Sequence, residues 1–306
     1  MALGCAGAQP RHQGGGAMYV VMGATGHVGA AVAETLLASG EDVTILTRRP
    51  ERAGRWRDKG ASVAMADVED VDSLRAAFRR GQRAFLLNPP ADVAGDTDAT
   101  ERRTIANILA ALEDSGLEKV VAASTYGARP GQGIGDLTTL WELEEGLRRQ
   151  PIPAAINRGA YYMTNWAGLL EMVAQTGKLP SMYPADMPMP MVAPVDLGEA
   201  AAARLLTPLD DVAVRYVEGP QRYTPRDVAQ AMSRTLGCEV AVEVAPRDRW
   251  EAIYKGLGFS DEAARAYTRM TAVSLDEGFD KSGDIVRGHV SLSDFIAAAA
   301  VRAAHA

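Results

Sequence analysis

Six continuous apolar runs of strand length alternate with longer segments of helical period over the first half of the chain, and few folds accommodate that alternation. MYVVMG (18–23), DVTILT (42–47), ASVAMA (61–66), RAFLLN (83–88), KVVAAS (119–124) and PAAINR (153–158) read as strands. Residues 28–39, 51–59, 71–80, 97–115 and 135–149 read as the helices between them. Strands that are apolar throughout, not alternately, need cover on both faces, the condition of a parallel sheet clothed by helices. The expectation is an α/β chain with a doubly wound parallel sheet. Ligands of such sheets bind at the carboxyl ends of strands near the switch in strand order, so the turns after the first, second, fourth and fifth strands should carry function.

Past residue 160 the texture changes. The stretch 179–194, LPSMYPADMPMPMVAP, is too rich in proline for a helix and reads as a long loop. Segments 195–206, 213–219, 224–237 and 239–246, with helices after them, suggest a smaller α+β portion on the substrate side. The expected division is a nucleotide-binding domain over 18–160 and a smaller region over 161–306, interleaved with the sheet, with a cleft between them as the substrate site. Residues 1–17 read as a disordered extension, a cloning remnant or an upstream start, with Met18 a plausible natural first residue.

The net charge of −7 over 306 residues argues against nucleic acid as the main partner and for a small molecule. No apolar run approaches a membrane span. The two cysteines, Cys5 and Cys238, lie far apart and outside any CxxC or Cys/His cluster, so no metal site or disulfide framework is indicated and a cytoplasmic setting fits. A homodimer is a further admissible assembly.

Gly23, Gly26 and Gly29 form G-x-x-G-x-x-G between the first strand and its helix. In that setting the first glycine allows the sharp exit, the second the approach of a pyrophosphate and the third close packing of helix on strand, while the helix start attracts the anion. Thr25, His27 and Val28 line the turn, and His27 is expected to meet phosphate or water, not to be a catalyst. A tight βα turn without ligand is the bland alternative. Where an NAD site would show a carboxylate at the end of the second strand, the chain has TRRP (47–50). Arg48 and Arg49 suit a 2′-phosphate, favouring NADP(H), or else lie on a solvated basic loop. Asp67, with Val68 beside it, is placed either to accept from an adenine amino group or to cap a helix, as is Asp70. Asn88 and Pro89 in LLNPPA approach a ribose or form an ordinary turn.

GATGHVG (23–29), TRRP, MADVED (65–70), LLNPP (86–90), KVVAASTYGA (119–128), PIPAAINRGAYYMTNW (151–166) and APVDLGEAAAARLL (193–206) together resemble the NmrA-like branch of the atypical short-chain dehydrogenase/reductases. The resemblance runs from about residue 18 to 300 and is sharper in its first half. It implies a Rossmann fold and either an NADPH-dependent reductase of quinones, dyes or isoflavone-like compounds or a regulator that binds NAD(P) without turnover. Active members of the wider superfamily use a serine after the fifth strand and a Tyr-x-x-x-Lys pair on the next helix. Ser124 matches the serine. The helix, GDLTTLWELEEGLRRQ (135–150), has neither tyrosine nor lysine. Several reductases of the family place a lysine or histidine where Trp141 falls, four residues before the glutamate matching Glu145. Tyr126 is the nearest phenol, and it follows the strand directly.

Hydride delivery to a strongly electrophilic acceptor needs little acid catalysis, so a reductase without the dyad stays open. Its pocket would be lined by Trp141, Tyr161, Tyr162, Met163, Asn165 and Trp166, with Met182, Met187, Met189 and Met191, groups suited to a flat polarizable substrate or equally to core packing. A redox sensor whose proline- and methionine-rich loop reports cofactor binding to a partner is the competing class, and a scaffold that keeps a cofactor for stability is the third.

Overall fold

The computed structural model describes residues 17–279 and 283–304; the expectation for residues 1–16, Cys5 included, lies outside them. Strand β1 (Met18–Val21) leads to α1 (His27–Ala38), β2 (Asp42–Thr47), α2 (Gly54–Asp58), β3 (Ser62–Met65) and α3 (Val71–Phe78). Next come β4 (Arg83–Leu86), α4 (Thr97–Leu112), β5 (Lys119–Thr125), α5 (Asp136–Arg148) and β6 (Ala154–Gly159). The chain continues through β7 (Tyr161–Tyr162), α6 (Met163–Ala167), α7 (Leu170–Thr176), β8 (Lys178–Ser181), β9 (Met189–Val192), α8 (Pro194–Leu206) and β10 (Val214–Glu218). It closes with β11 (Arg222–Tyr223), α9 (Pro225–Leu236), β12 (Ala241–Val244), α10 (Trp250–Gly256), α11 (Asp261–Glu277), β13 (Ile285–Arg287) and α12 (Leu292–Ala304).

Eight strands make one sheet in the order β13-β10-β6-β5-β4-β1-β2-β3, with every neighbouring pair parallel. Alternate residues of each strand enter opposite layers. Tyr19, Val21, Phe85 and Val121 pack with Val28, Val32 and Leu36 of α1 and Leu197 of α8. Val20, Leu86, Val120 and Ala122 pack with Phe78, Ile108 and Leu143 of α3, α4 and α5. Both faces are thus dry, which is why the strands carry no polar alternation. The fold is the doubly wound one expected, and strand order reverses between β1 and β4, where the turns beginning at Gly23 and Leu87 leave the sheet side by side.

Two features go beyond the sequence reading. Strands β10 and β13 and helix α8, all from beyond residue 160, complete the sheet and its helical layer: Val214 pairs with Ile156, and Tyr216 with Ile285. The stretch 179–194, read as a loop, holds two strands. β8 pairs parallel with β12, and β9 lies between β7 and β11. Their partners lie 30 or more positions away for β9 with β7 and β11, and further for β8 with β12, so local composition could not show them. Met189 and Met191 are consequently fully buried in a third core with Met163, Trp166 and Tyr183. Ser260, which caps α11, holds the loop after β4: its N–H donates to the Val93 carbonyl at 2.8 Å and its Oγ to that of Gly95 at 2.8 Å.

Candidate active site

The glycine turn explains two of its three glycines from the protein alone. Gly23 has φ +69°, and a Cβ there would stand 2.5 Å from Leu87 Cδ2. A Cβ at Gly29 would stand 2.4 Å from the Gly23 and Met22 backbone, so α1 can lie against β1 only without one. Gly26 differs: its φ of −97° suits any residue, and a Cβ would meet nothing nearer than the Gly23 carbonyl at 3.4 Å. No side chain caps the start of α1, and its first turn holds no acidic residue. Thr25, Gly26 and His27 are exposed there, while Val28 is buried beneath. A bare Cα facing open space over uncapped helix N–H groups fits the close approach of a phosphate.

Arg48 and Arg49 stand exposed just past β2, with the Arg49 N–H bonded to Thr47 Oγ1 at 3.1 Å. Sequence reasoning passed over Arg55 in the basic run 48–57. Its guanidinium lies 4.9 Å over the Trp56 ring and reaches the Ala24 carbonyl at 3.5 Å, which brings a cation to the glycine turn. Of the two candidate caps, Asp70 caps α3, accepting from the N–H groups of Asp72 and Ser73. Asp67 instead accepts from Glu69 N–H at 3.1 Å, and Val68 beside it is half-buried. Asn88 is buried, with Oδ1 2.6 Å from the Thr104 hydroxyl on α4, and Pro89 is partly exposed after it.

At the end of β5 the Ser124 hydroxyl donates to Glu144 at 2.6 Å. Arg158 grips the same carboxylate through Nε at 2.8 Å and a terminal nitrogen at 2.7 Å, and Arg148 reaches it at 3.2 Å. Glu144, fully buried, is thus the glutamate of α5 that meets Ser124; Glu145 lies one position off, paired with Arg148 and partly exposed. The Tyr126 hydroxyl donates to buried Glu218 at the end of β10, and its ring meets Tyr216 edge-on at 4.8 Å. Burial, then the bond to Glu218, push its pKa well up. Its ring helps line a small recess with Gly127, Arg129, Leu137, Glu277 and Phe279.

Tyr161 and Trp166 come together at 5.6 Å between ring centroids, Tyr183 closing on Tyr161 at 5.8 Å and Phe279 on Tyr183 at 6.2 Å. The exposed Asn165 hydrogen-bonds the Tyr161 hydroxyl. Burial, then the charge of Asp136, push Tyr162 up to about 12. Trp141 lies partly exposed on α5, and no ring contact among the described residues joins it to this cluster. Asp196, Glu199 and His289 gather ligand atoms within 4.8 Å of one another, a cluster the sequence did not reveal. Its imidazole Nδ1 already faces Asp196 at 3.2 Å and Glu199 at 3.4 Å. No helix among the described residues is long and apolar enough to cross a membrane.

The fold and its switch-point turn define a doubly wound α/β chain with the glycine geometry of a nucleotide cradle. The chain belongs to the NmrA-like family, whose family model matches residues 18–285. It is 30% identical over 222 residues to the (4-alkanoyl-5-oxo-2,5-dihydrofuran-3-yl)methyl phosphate reductase of Streptomyces griseus, covering 72% of this chain and 74% of that protein. It is 26% identical over 257 residues to a nitrogen metabolite regulation-like protein of Gibberella fujikuroi, covering 78% and 72%. The crystal structure of Citrobacter sp. triphenylmethane reductase complexed with NADP(H) superposes with a TM-score of 0.77 at 20% identity, over 92% of this chain and 99% of that one.

Proposed function

We propose that this chain is an NADPH-dependent reductase that passes a hydride to a small, flat, conjugated electrophile such as a quinone or imine. The observation that carries the reading is Gly26: nothing in the protein requires a glycine there, and a phosphate over the uncapped start of α1 does. Gly23, Thr25, Gly26, His27 and Val28 would hold the pyrophosphate, and Arg48 and Arg49, with Arg55, the 2′-phosphate. Asp67 and Val68 would meet the adenine, and Asn88 and Pro89 the ribose. When bound, the cofactor supplies the hydride. The reductase relative and the dye-reductase fold support that chemistry, and the exposed thiol of Cys238 fits a cytoplasmic setting.

Tyr161, Tyr162 and Asn165 would form the substrate side, with Trp166 packed on Tyr161 as its support and Trp141 offering a separate, partly exposed ring on α5. Ser124 and Tyr126 would shape the floor between β5 and α5, each hydroxyl held toward a buried carboxylate. The second reading, a sensor that binds NADP(H) without turnover, is favoured by those two occupied hydroxyls and by the regulator-like relative. Purified protein screened for NADPH oxidation against quinones, cationic dyes, imines and enones decides between them. Turnover with at least one acceptor is expected; tight NADPH binding with silence across the panel would establish the sensor.

A further inference from the structure

Helices α4 and α5 start at the carboxyl edge of the sheet, because a crossover helix runs back against its strand. There the structure joins two carboxyl groups. Glu101, in the second turn of α4 and 4% exposed, hydrogen-bonds Asp136, the first residue of α5. Thr139 Oγ1 donates to Glu101 at 2.8 Å, and the N–H of Ala91, in the loop after β4, donates to it as well. The charge of Asp136 acts to raise Glu101, and that of Asp98 to raise Asp136. Two carboxylates in such contact do not both stay ionised, so the bond between them holds a proton. Burial, then the charge of Asp136, push Glu101 up to about 8.

The surroundings point to a ligand beyond the pair. Thr97 stands one turn before Glu101 on the same face of α4, 2% exposed, with its hydroxyl buried and without a partner. Asp98 has an equally unpartnered buried Oδ1, while its Oδ2 lies 3.7 Å from Arg102, which is tied to Glu142. Asp96 adds a further negative charge to that side. Tyr162 feels the charge of Asp136, and Tyr267 on α11 that of both carboxyls, with Tyr254 packed on Tyr267 at 5.7 Å. Asn88 meets α4 at Thr104, whose hydroxyl also lies 2.9 Å from the Glu101 carbonyl.

We propose that the Glu101–Asp136 pair is the proton store of the reduction, filling the role of the phenol and lysine that α5 lacks; the proposal rests on the reductase reading. Glu101 gives its proton to the acceptor atom that carries the electron pair after hydride transfer. The carboxyl O–H bond breaks and the acceptor's new O–H or N–H bond forms. The carboxylate left behind takes a proton from solvent through Asp136, which keeps part of its surface exposed.

Two classes of acceptor test this. A quinone or enone needs a proton besides the hydride, whereas a cationic triarylmethane dye is neutralised by hydride alone. Glu101→Gln keeps a hydrogen bond to Asp136 but cannot release a proton. It should lower kcat for the quinone by about 10²-fold and remove the fall of kcat with rising pH, leaving KM for NADPH and turnover of the cationic dye unchanged, while Glu101→Asp restores part of the quinone rate. Independently of activity, infrared spectra at pH 7 should show the carbonyl stretch of a protonated carboxyl group that disappears in Glu101→Gln. Equal losses with both acceptors, no loss with either, or no such band overturns the proton store and leaves the reductase reading standing. Silence of the unaltered protein toward every acceptor overturns that reading and the proton delivery with it.

Discussion

Arg48 and Arg49 are the residues we propose to set cofactor choice, because both stand exposed at the strand end where an NAD site would present a carboxylate. Hydrogen bonds to a charged group contribute about 1.5–3 kcal/mol each. Fluorescence titration should therefore show NADPH bound more tightly than NADH, and Arg48→Ala with Arg49→Ala should weaken NADPH at least about tenfold while leaving NADH unchanged. Equal affinities in the unaltered protein would rule the 2′-phosphate assignment out. These two arginines were legible in the sequence because the strand end is a local feature. Arg55 was not, since its approach to Ala24 depends on the turn at Ala53 and Gly54 that splits the expected 51–59 helix into a 3-10 turn at Pro50–Arg52 and α2. Glu101 was equally hidden: on α4 it reads as one more polar helical position, and only the arrival of Asp136 from α5 gives it a proton to hold.

Among the elements, the packing of α8 on α1 leaves no room for an added Cβ at Gly198. A Cβ at Gly198 would lie 2.3 Å from Ala31 Cβ and 2.8 Å from the Val32 nitrogen, so the two helices meet backbone to backbone. Gly198→Leu should cost about 1–3 kcal/mol and lower the thermal midpoint by several degrees. Gly54→Ala, whose Cβ meets nothing within 4 Å, should leave the midpoint unchanged or slightly higher. A calorimetric scan that ranks the two variants together would remove close packing as the reason for Gly198. The periodicity of 195–206 was enough to place this helix. Its partner across the layer was not legible, because helical period says which face is buried and nothing about what buries it.

For the whole molecule, Asp211 ties the second half of the chain into the sheet. It holds Arg204 of α8 at 2.8 Å, and Arg204 donates in turn to the carbonyls of Ile156 at 2.8 Å and Ala213 at 2.6 Å and to Asn157 Oδ1 at 3.0 Å. The hydrogen bond from Arg204 pulls the Asp211 carboxyl down to about 2 from its ordinary 3.8. A folded-state value below the unfolded one stabilises fully above the unfolded pKa and is lost as pH falls through the folded one, so about 2 kcal/mol should fade between about pH 4 and pH 2. Asp211→Asn should lose that amount in denaturant titrations at neutral pH, with the gap closing toward pH 2; a gap that persists there would assign the effect to packing. The sequence by itself determined the six first strands, the helices between them, the glycine turn and the arginine pair, because each rests on spacing within one short segment. Only the tertiary structure decided that β10, β13 and α8 complete the sheet and that residues 179–194 hold two strands. It alone engaged Ser124 and Tyr126 with Glu144 and Glu218, and set Glu101 against Asp136. Each of those depends on residues far apart in the chain whose meeting is fixed by the burial of both faces of the sheet, a condition no local pattern can express.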